Sequence, residues 1–417
     1  MDKIVIRGGR RLRGQVAVGG AKNAALPIML AGLLTADECV FHNVPDVVDV
    51  RTTLGLLRHL GAQAEQSGSS VRIRAERLAR LEAPYDLVRT MRASFLALGP
   101  LLARYGRARV STPGGCAIGS RPVNLHVDGL RRLGAEVQLV EGYADAETKE
   151  LRGARINLEI PSVGATEHLM MVATLAKGTT VIEHAAREPE VIDLAGALTS
   201  MGARISGAGE DVITIEGVET LRGTEYTVIP DRIEAGTFMM AAAITGGDID
   251  VIGATCTHLE PVVAKLRESG VDVRPHETGV RVLGDGRLRS IDVKTMPYPG
   301  FPTDLQAQIM AALALAEGRS VISETIFENR FMHVLELNRM GANIKVEGNN
   351  ALVSGVEALS GAPVMATDLR ASVSLVLAGL AASGQTEVHR VYHLDRGYTR
   401  IEEKLSALGA DVKRVKE

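Results

Sequence analysis

Two apolar patterns alternate along the chain. The first is nearly unbroken: Lys22–Leu34, Arg92–Arg104, Ala165–Lys177, Glu234–Thr245, Asp304–Glu317 and Arg370–Ser383 are rich in Ala, Leu and Met. Each predicts a helix buried on most of its sides. A polar turn then leads into a short β-rich segment, at Glu38–Phe41, Ala108–Ser111, Thr179–Ile182, Ile249–Ile252, Ser320–Ile322 and Thr386–Val388. The second pattern is amphipathic, with a charged outer face, and ends in a phrase that recurs six times. It reads LRHLGAQA from Leu57, LRRLGAEV from Leu130, LTSMGARI from Leu198, LRESGVDV from Leu266, LNRMGANI from Leu337 and LSALGADV from Leu405. In each copy a helix stops, Gly takes the left-handed position just past it, and a strand begins.

The six glycines, Gly61, Gly134, Gly202, Gly270, Gly341 and Gly409, are separated by 73, 68, 68, 71 and 68 residues. A unit of about seventy residues is longer than ordinary solenoid repeats of roughly 20–50, which favours closed globular assembly. The pattern predicts six βαβαββ modules, with helices packed inward on helices and sheets around them. The stretch between Gly223 and Asp231 divides three modules from three and is the expected hinge.

Composition narrows the function classes. Lys and Arg number 47 against 50 Asp and Glu, a net charge of −3, so no global field would hold the protein on nucleic acid or an anionic membrane. Aromatic residues are only 3% with no Trp, too few to build base-stacking platforms, whereas 44 glycines suit close helix packing and tight turns. Cys39, Cys116 and Cys256 are too widely spaced for a zinc cluster or a disulfide framework, which points to a reducing compartment. MDKIVIRGGRRLRG lacks the apolar core of a signal peptide, and Leu26–Leu34 and Phe238–Ile244 fall short of the roughly 20 residues that span a bilayer. A cytoplasmic protein without membrane insertion is expected.

Any anion site must then be local, and two sets of loops break the repeat with reactive residues. One set lies at the buried-helix N-termini: Gly20 to Asn23, Thr90 to Arg92, Ser162 to Thr166, Pro230 to Glu234, Thr303-Asp304 and Thr367 to Arg370. Helix N-termini present unpaired N–H groups and a partial positive charge, so such ends facing one another, with Arg92, Arg232 and Arg370 beside them, would bind anions. The plainer reading makes Asp231, Asp304 and Asp368 simple caps. The other set follows the short strands. In the second module it carries Cys116 among glycines and beside Arg121, the setting of a reactive thiol, while Cys39 and Cys256 read as packing residues. Equivalent loops hold Arg187-Glu188, Arg330-Phe331 and Asp395-Arg396. There is no Walker A sequence, dinucleotide fingerprint or H-E-x-x-H motif. The expectation is an enzyme without metal or cofactor, acting on anionic substrates with one thiol and one or two carboxylates.

Long motifs in order along essentially the whole chain carry a family resemblance. They are GGAKNAALP from Gly19, PGGCAIGSRPV from Pro113, AAREPE from Ala185, PDRIEAGT from Pro230, FPTDLQAQ from Phe301, ENRFMH from Glu328, MATDLRAS from Met365 and DRGYTRIE from Asp395. In these the chain resembles the UDP-N-acetylglucosamine enolpyruvyl transferases of peptidoglycan synthesis. That family is similar in fold to 5-enolpyruvylshikimate-3-phosphate synthase.

The resemblance implies a two-domain inside-out α/β barrel of six βαβαββ repeats, three per domain. The expected domains are 21–229, and 1–20 with 230–417, with the active site in the cleft between them. It implies phosphoenolpyruvate and UDP-N-acetylglucosamine as substrates, with Cys116 as proton donor on a closing loop, Asp304 as base and Asp368 as a possible second carboxylate. Lys22, Arg121 and Arg396 would hold phosphoenolpyruvate, Asn23 would place the sugar, and Arg330 and Arg370 would complete the cationic pocket. Arg92, Arg121, Pro122, Val123, Asn124, Leu125, Ser162, Val163, Gly164 and Ile326 would contact the nucleotide sugar. A cysteine at 116 also implies inactivation by fosfomycin. Two positions depart from many relatives, which carry lysine at Ile160 and aspartate at Asn124; both lie near the nucleotide in that family. Transfer to another acceptor, or a silent nucleotide-sugar-binding paralogue, remain alternatives, and a monomer is expected.

Overall fold

The computed structural model describes residues 2–89, 91–113 and 123–416. The six predicted buried helices are present, several of them with a 3₁₀ turn at one end. They are Lys22–Ala31, Leu98–Tyr105, Val163–Ala173, Arg232–Thr245, Gln306–Leu313 and Leu369–Ala381. Arg92–Ala97 is 3₁₀ rather than α, and the helices expected to reach Lys177 and Glu317 stop at Ala173 and Leu313. Ala and Leu continue past those ends, so composition alone overran the true stops. All six phrase glycines adopt the left-handed conformation, with φ between 93° and 106°. A Cβ would be strained there, which explains the glycine in every copy.

Each module forms one four-stranded sheet, and the described strands make six separate sheets. Within a sheet a short outer strand runs parallel to its neighbour across a buried helix, because parallel pairing needs a crossover, and an antiparallel hairpin follows. In the second module Glu82–Ala83 pairs parallel with Arg107–Ser111, which is antiparallel to Tyr143–Glu147, and Glu136–Val140 closes the edge.

The described residues fall into two compact units, one of residues 2–19 with 230–416 and one of 20–113 with 123–229. Each has its own apolar core and three of the sheets. In the first unit the buried helices Arg232–Thr245, Gln306–Leu313 and Leu369–Ala381 all pack on one another. Small residues allow the approach: a Cβ on Gly236 would lie 2.4 Å from Leu305. In the second, Lys22–Ala31, Leu98–Tyr105 and Val163–Ala173 form the equivalent centre, and a Cβ on Gly99 would meet the His168 ring at 2.6 Å. Helices inside and sheets outside is the arrangement the repeat predicted.

Closure of each unit was not visible in the repeat. The sixth phrase is followed by only one strand, Asp411–Lys416, and the missing hairpin partner is Asp2–Arg7, inserted between it and Gln385–His389. Arg13–Ala17 likewise supplies the parallel strand for Asp248–Ile252, and Glu225–Thr227 that for Glu38–His42. The stretch 223–231 is therefore not a loose hinge throughout, since part of it is sheet. Among the described residues the chain passes between units at 19/20 and 229/230, and the backbone at both passages is hydrogen-bonded. Gly19 N–H donates to Glu234 at 2.7 Å and Asp231 N–H to Gly19 O at 2.8 Å. Ala21 N–H donates to Ile229 O at 2.8 Å, and Ile229 N–H to the buried Asp193 at 3.1 Å.

Candidate active site

In the unit built from 2–19 and 230–416, three buried-helix N-termini converge, and the three recurring aspartates separate into different roles. Asp231 is a cap, accepting from the N–H groups of Ile233 at 2.8 Å and Glu234 at 3.2 Å. Asp368 caps its own helix through Arg370 N–H at 2.8 Å and Ala371 N–H at 3.1 Å. Asp304 makes no such cap. Its turn, Thr303–Leu305, leaves the carboxylate a quarter exposed, and Arg330 and Arg370 each donate to a different oxygen, at 2.9 and 2.7 Å. Those guanidiniums are 4% and 5% exposed, so the pairs are shielded from water and strong.

The surroundings fix both arginines. Arg370 reaches the Tyr398 hydroxyl at 3.4 Å, and that hydroxyl shares a 2.8 Å hydrogen bond with Thr237. Burial opposes the charge on Arg370, but Asp304, Tyr398 and Asp231 together hold its pKa above the ordinary value. Arg330 lies over the Phe327 ring at 5.3 Å. Arg396 ends the 3₁₀ segment Val391–Arg396. Burial first, then Arg396, pushes the His393 imidazole down, while Asp368 raises it. Ile326 stands on the loop after Arg319–Ser323, with its N–H bonded to Glu324 at 2.8 Å.

In the other unit Lys22 and Asn23 open the helix Lys22–Ala31. The Lys22 ammonium pairs at 3.0 Å with Asp49, which is 3% exposed and belongs to the first turn of the next helix. That partner aims Lys22, and nothing in its sequence context separates Asp49 from an ordinary first-turn acid. Ser162 caps Val163–Ala173 through Ala165 N–H at 3.3 Å, and Gly164 follows in the first turn. Val123, Leu125 and Val163 pack partly buried on the core, and Asn124 begins the helix Asn124–Arg132. Beneath these ends His126 and His168 meet Nδ1 to Nδ1 at 3.1 Å, with Phe95 edge-on to His126. A Cβ on Gly164 would stand 3.5 Å from His126, so the pair supports the Ser162–Gly164 turn directly. Burial, then His168 and Arg92, pushes His126 down, and Arg92 opens the 3₁₀ segment Arg92–Ala97 that carries Phe95. Ile160 is 62% exposed. Cys116, Arg121 and Pro122 lie outside the described residues. Cys39 is fully buried, and burial pushes its thiol up to about 11, as a packing residue requires.

The histidine pair carries a pH prediction. Burial pushes His168 down to about 3, against about 6.5 in an unfolded chain. The unfolded state therefore binds more protons across that window, and the pair's contribution to stability is lost as pH falls. Glu167, raised well above its usual range by burial and by Glu190 and Glu188, acts in the opposite sense. A His168→Phe comparison isolates the imidazole. In urea unfolding the variant should lose about 1.4 kcal/mol per pH unit of acid sensitivity between about pH 6 and 4; parallel curves for the two proteins would show that His168 titrates normally.

The chemistry of this arrangement is that of anion binding at helix ends, with one carboxylate held between two cations. Comparisons with known proteins give the family. The family model described as EPSP synthase (3-phosphoshikimate 1-carboxyvinyltransferase) matches residues 6–405. The UDP-N-acetylglucosamine 1-carboxyvinyltransferase of Geobacter metallireducens is 60% identical, covering all of both chains. That of Geotalea daltonii is 57% identical, again over the whole of both. Among solved structures, the enolpyruvyl transferase NikO from Streptomyces tendae superposes with a TM-score of 0.90 at 28% identity, covering 99% of this chain and 98% of that one. EPSP synthase from Acinetobacter baumannii, at 20% identity and a TM-score of 0.76 over all of both chains, shares the fold. With the model match, full-length identity and fold in agreement, this chain belongs to the enolpyruvyl transferase family, in its UDP-N-acetylglucosamine 1-carboxyvinyltransferase branch.

Proposed function

We propose that this protein transfers the enolpyruvyl group of phosphoenolpyruvate to the 3-hydroxyl of UDP-N-acetylglucosamine and releases phosphate, the first committed step of peptidoglycan synthesis. The observation that carries the chemistry is Asp304, fixed between Arg330 and Arg370 rather than spent as a cap. Relatives at 57–60% identity over their full length bear the corresponding name.

Each step then has a residue. The Cys116 thiol protonates C3 of phosphoenolpyruvate, leaving C2 electron-poor. The sugar hydroxyl oxygen adds to C2 and gives its proton to Asp304. From the resulting tetrahedral ketal C3 returns a proton to the Cys116 thiolate. The C2–O bond to phosphate breaks with its electron pair leaving on phosphate, which takes the proton from Asp304, and the C2–C3 double bond re-forms in the enolpyruvyl group now on the sugar. Lys22, Arg121 and Arg396 hold the phosphate and carboxylate of phosphoenolpyruvate, and Arg330 and Arg370 add positive charge where the substrate is anionic. An arriving anion competes with Asp304 for those two guanidiniums and frees a carboxylate oxygen for the hydroxyl. Asn23 places the sugar, with Arg92, Arg121, Pro122, Val123, Asn124, Leu125, Ser162, Val163, Gly164 and Ile326 along the nucleotide. Asp368, whose carboxylate caps the helix bearing Arg370, serves the site by holding that arginine's backbone. No helix among the described residues is long and apolar enough to cross a membrane. Charged substrates and a thiol that must stay reduced favour the cytoplasm, and a monomer suffices for these roles.

The acceptor is tested by substrate choice. With phosphoenolpyruvate present, UDP-N-acetylglucosamine should gain an enolpyruvyl group detectable by mass, whereas shikimate 3-phosphate should not; the reverse preference would move the chain to the other acceptor class.

A further inference from the structure

We propose that Glu324 is a positioning residue for this reaction, tying the turn that carries Asp304 to the loop that carries Ile326 and Arg330. The inference rests on the enolpyruvyl transfer reading of Asp304 and names how that carboxylate is held in place.

Glu324 is 2% exposed and directly follows the strand Arg319–Ser323. Its two oxygens serve different segments. Oε2 accepts from the Thr303 hydroxyl at 2.8 Å, and Thr303 is the first residue of the turn Thr303–Leu305. Oε1 accepts from Ile326 N–H at 2.8 Å, Phe327 N–H at 3.2 Å and the Thr295 hydroxyl at 2.9 Å. Thr295 Oγ1 accepts in turn from Thr325 N–H at 3.0 Å, so the loop is held at three successive amides. The circuit then closes on itself. Phe327 lies under the Arg330 guanidinium, and Arg330 donates to Asp304, the residue after Thr303.

A buried carboxylate is costly unless its lone pairs are used, and here four donors use them. An apolar side chain could fill the same space at less cost. What it could not do is fix two chain segments to one point within hydrogen-bond tolerance. An error of about 1 Å in a reacting group costs about a hundredfold in rate, so such a tie acts on the chemical step. Neither Thr303 nor Glu324 needs to touch substrate for this.

Thr303→Val keeps the side-chain shape and removes the donor to Oε2, so the test does not depend on a Glu324 variant folding. Steady-state phosphate release should show kcat lowered about tenfold, with KM for phosphoenolpyruvate unchanged and activity restored by Thr303→Ser. In a double-mutant cycle, Thr303→Val added to Asp304→Asn should cost nothing further, because the lost tie acts only through Asp304. Unchanged kcat in Thr303→Val, or losses that multiply with Asp304→Asn, would overturn the positioning role while leaving the enolpyruvyl transfer reading intact. A parent protein that releases no phosphate from the two substrates would overturn both.

Discussion

Replacing Asp304 by Asn should lower kcat for phosphate release by about 10²- to 10⁴-fold, the range for losing a proton-transfer group, with little change in KM for phosphoenolpyruvate. Asn preserves the shape and one of the two acceptor oxygens, so it should lose less stability than Ala. Asp304→Ala should lose activity to a similar extent and also lose stability. Arg330 and Arg370 are 4% and 5% exposed and would keep their charges without the carboxylate that now pairs with both. Breaking a buried pair by removing one partner costs about 3–5 kcal/mol, readable as a shifted urea midpoint with an unchanged slope. The contrast between the two variants separates chemistry from structure. An Asn variant with wild-type kcat would remove Asp304 from the proton path, and an Ala variant of wild-type stability would show that the pairs contribute nothing to the fold.

The second large effect is expected at Cys116. Because we propose the thiol as the proton donor to C3, its replacement by Ala should abolish turnover, a loss of about 10²-fold or more. Fosfomycin, a phosphonate epoxide, should inactivate the wild-type protein irreversibly. The Cys116 thiolate would open the ring, forming one carbon–sulfur bond while the epoxide oxygen becomes a hydroxyl. One adduct per chain should appear by mass spectrometry, and prior saturation with phosphoenolpyruvate should slow its formation. Cys39 should remain unmodified, since burial pushes its thiol up to about 11 and leaves it inaccessible. Full activity after prolonged exposure would contradict a reactive cysteine at 116.

The sequence announced some levels of this structure and hid others, and the difference has a physical cause. Local signals survived well. Each Gly of the recurring phrase needs a left-handed φ, a requirement of one residue and its helix end, and all six show it. The buried helices were legible because their apolar character extends all round, although their ends were less so: Leu175 and Ala176 still read as helix beyond the stop at Ala173. Closure of the units was not legible. Asp2–Arg7 pairs with strands more than 370 residues away, and a six-residue strand carries no mark of its partner.

The same division applies to the site. Asp231, Asp304 and Asp368 all precede buried helices, and capping preference predicts the same role for each. Among the described residues, the reach of Arg330 and Arg370 separates Asp304 from the other two. Lys22 was legible through its motif, but Asp49, which aims it, was not. Glu324 collects donors from three separated stretches, at Thr295, Thr303 and the 326–327 amides, so no spacing along the chain could reveal it. Residues assigned to the substrate were assigned by motif, whereas the residues that hold them in place become visible only once the fold brings distant segments together.

The central claim is tested most directly by phosphate release in the presence of phosphoenolpyruvate, with and without UDP-N-acetylglucosamine. Addition followed by elimination makes phosphate release depend on the acceptor, so one phosphate should appear for each enolpyruvyl-sugar formed, and none should accumulate catalytically when the nucleotide sugar is omitted. Phosphate released at the same rate without the acceptor, or no phosphate with both substrates present, would contradict it.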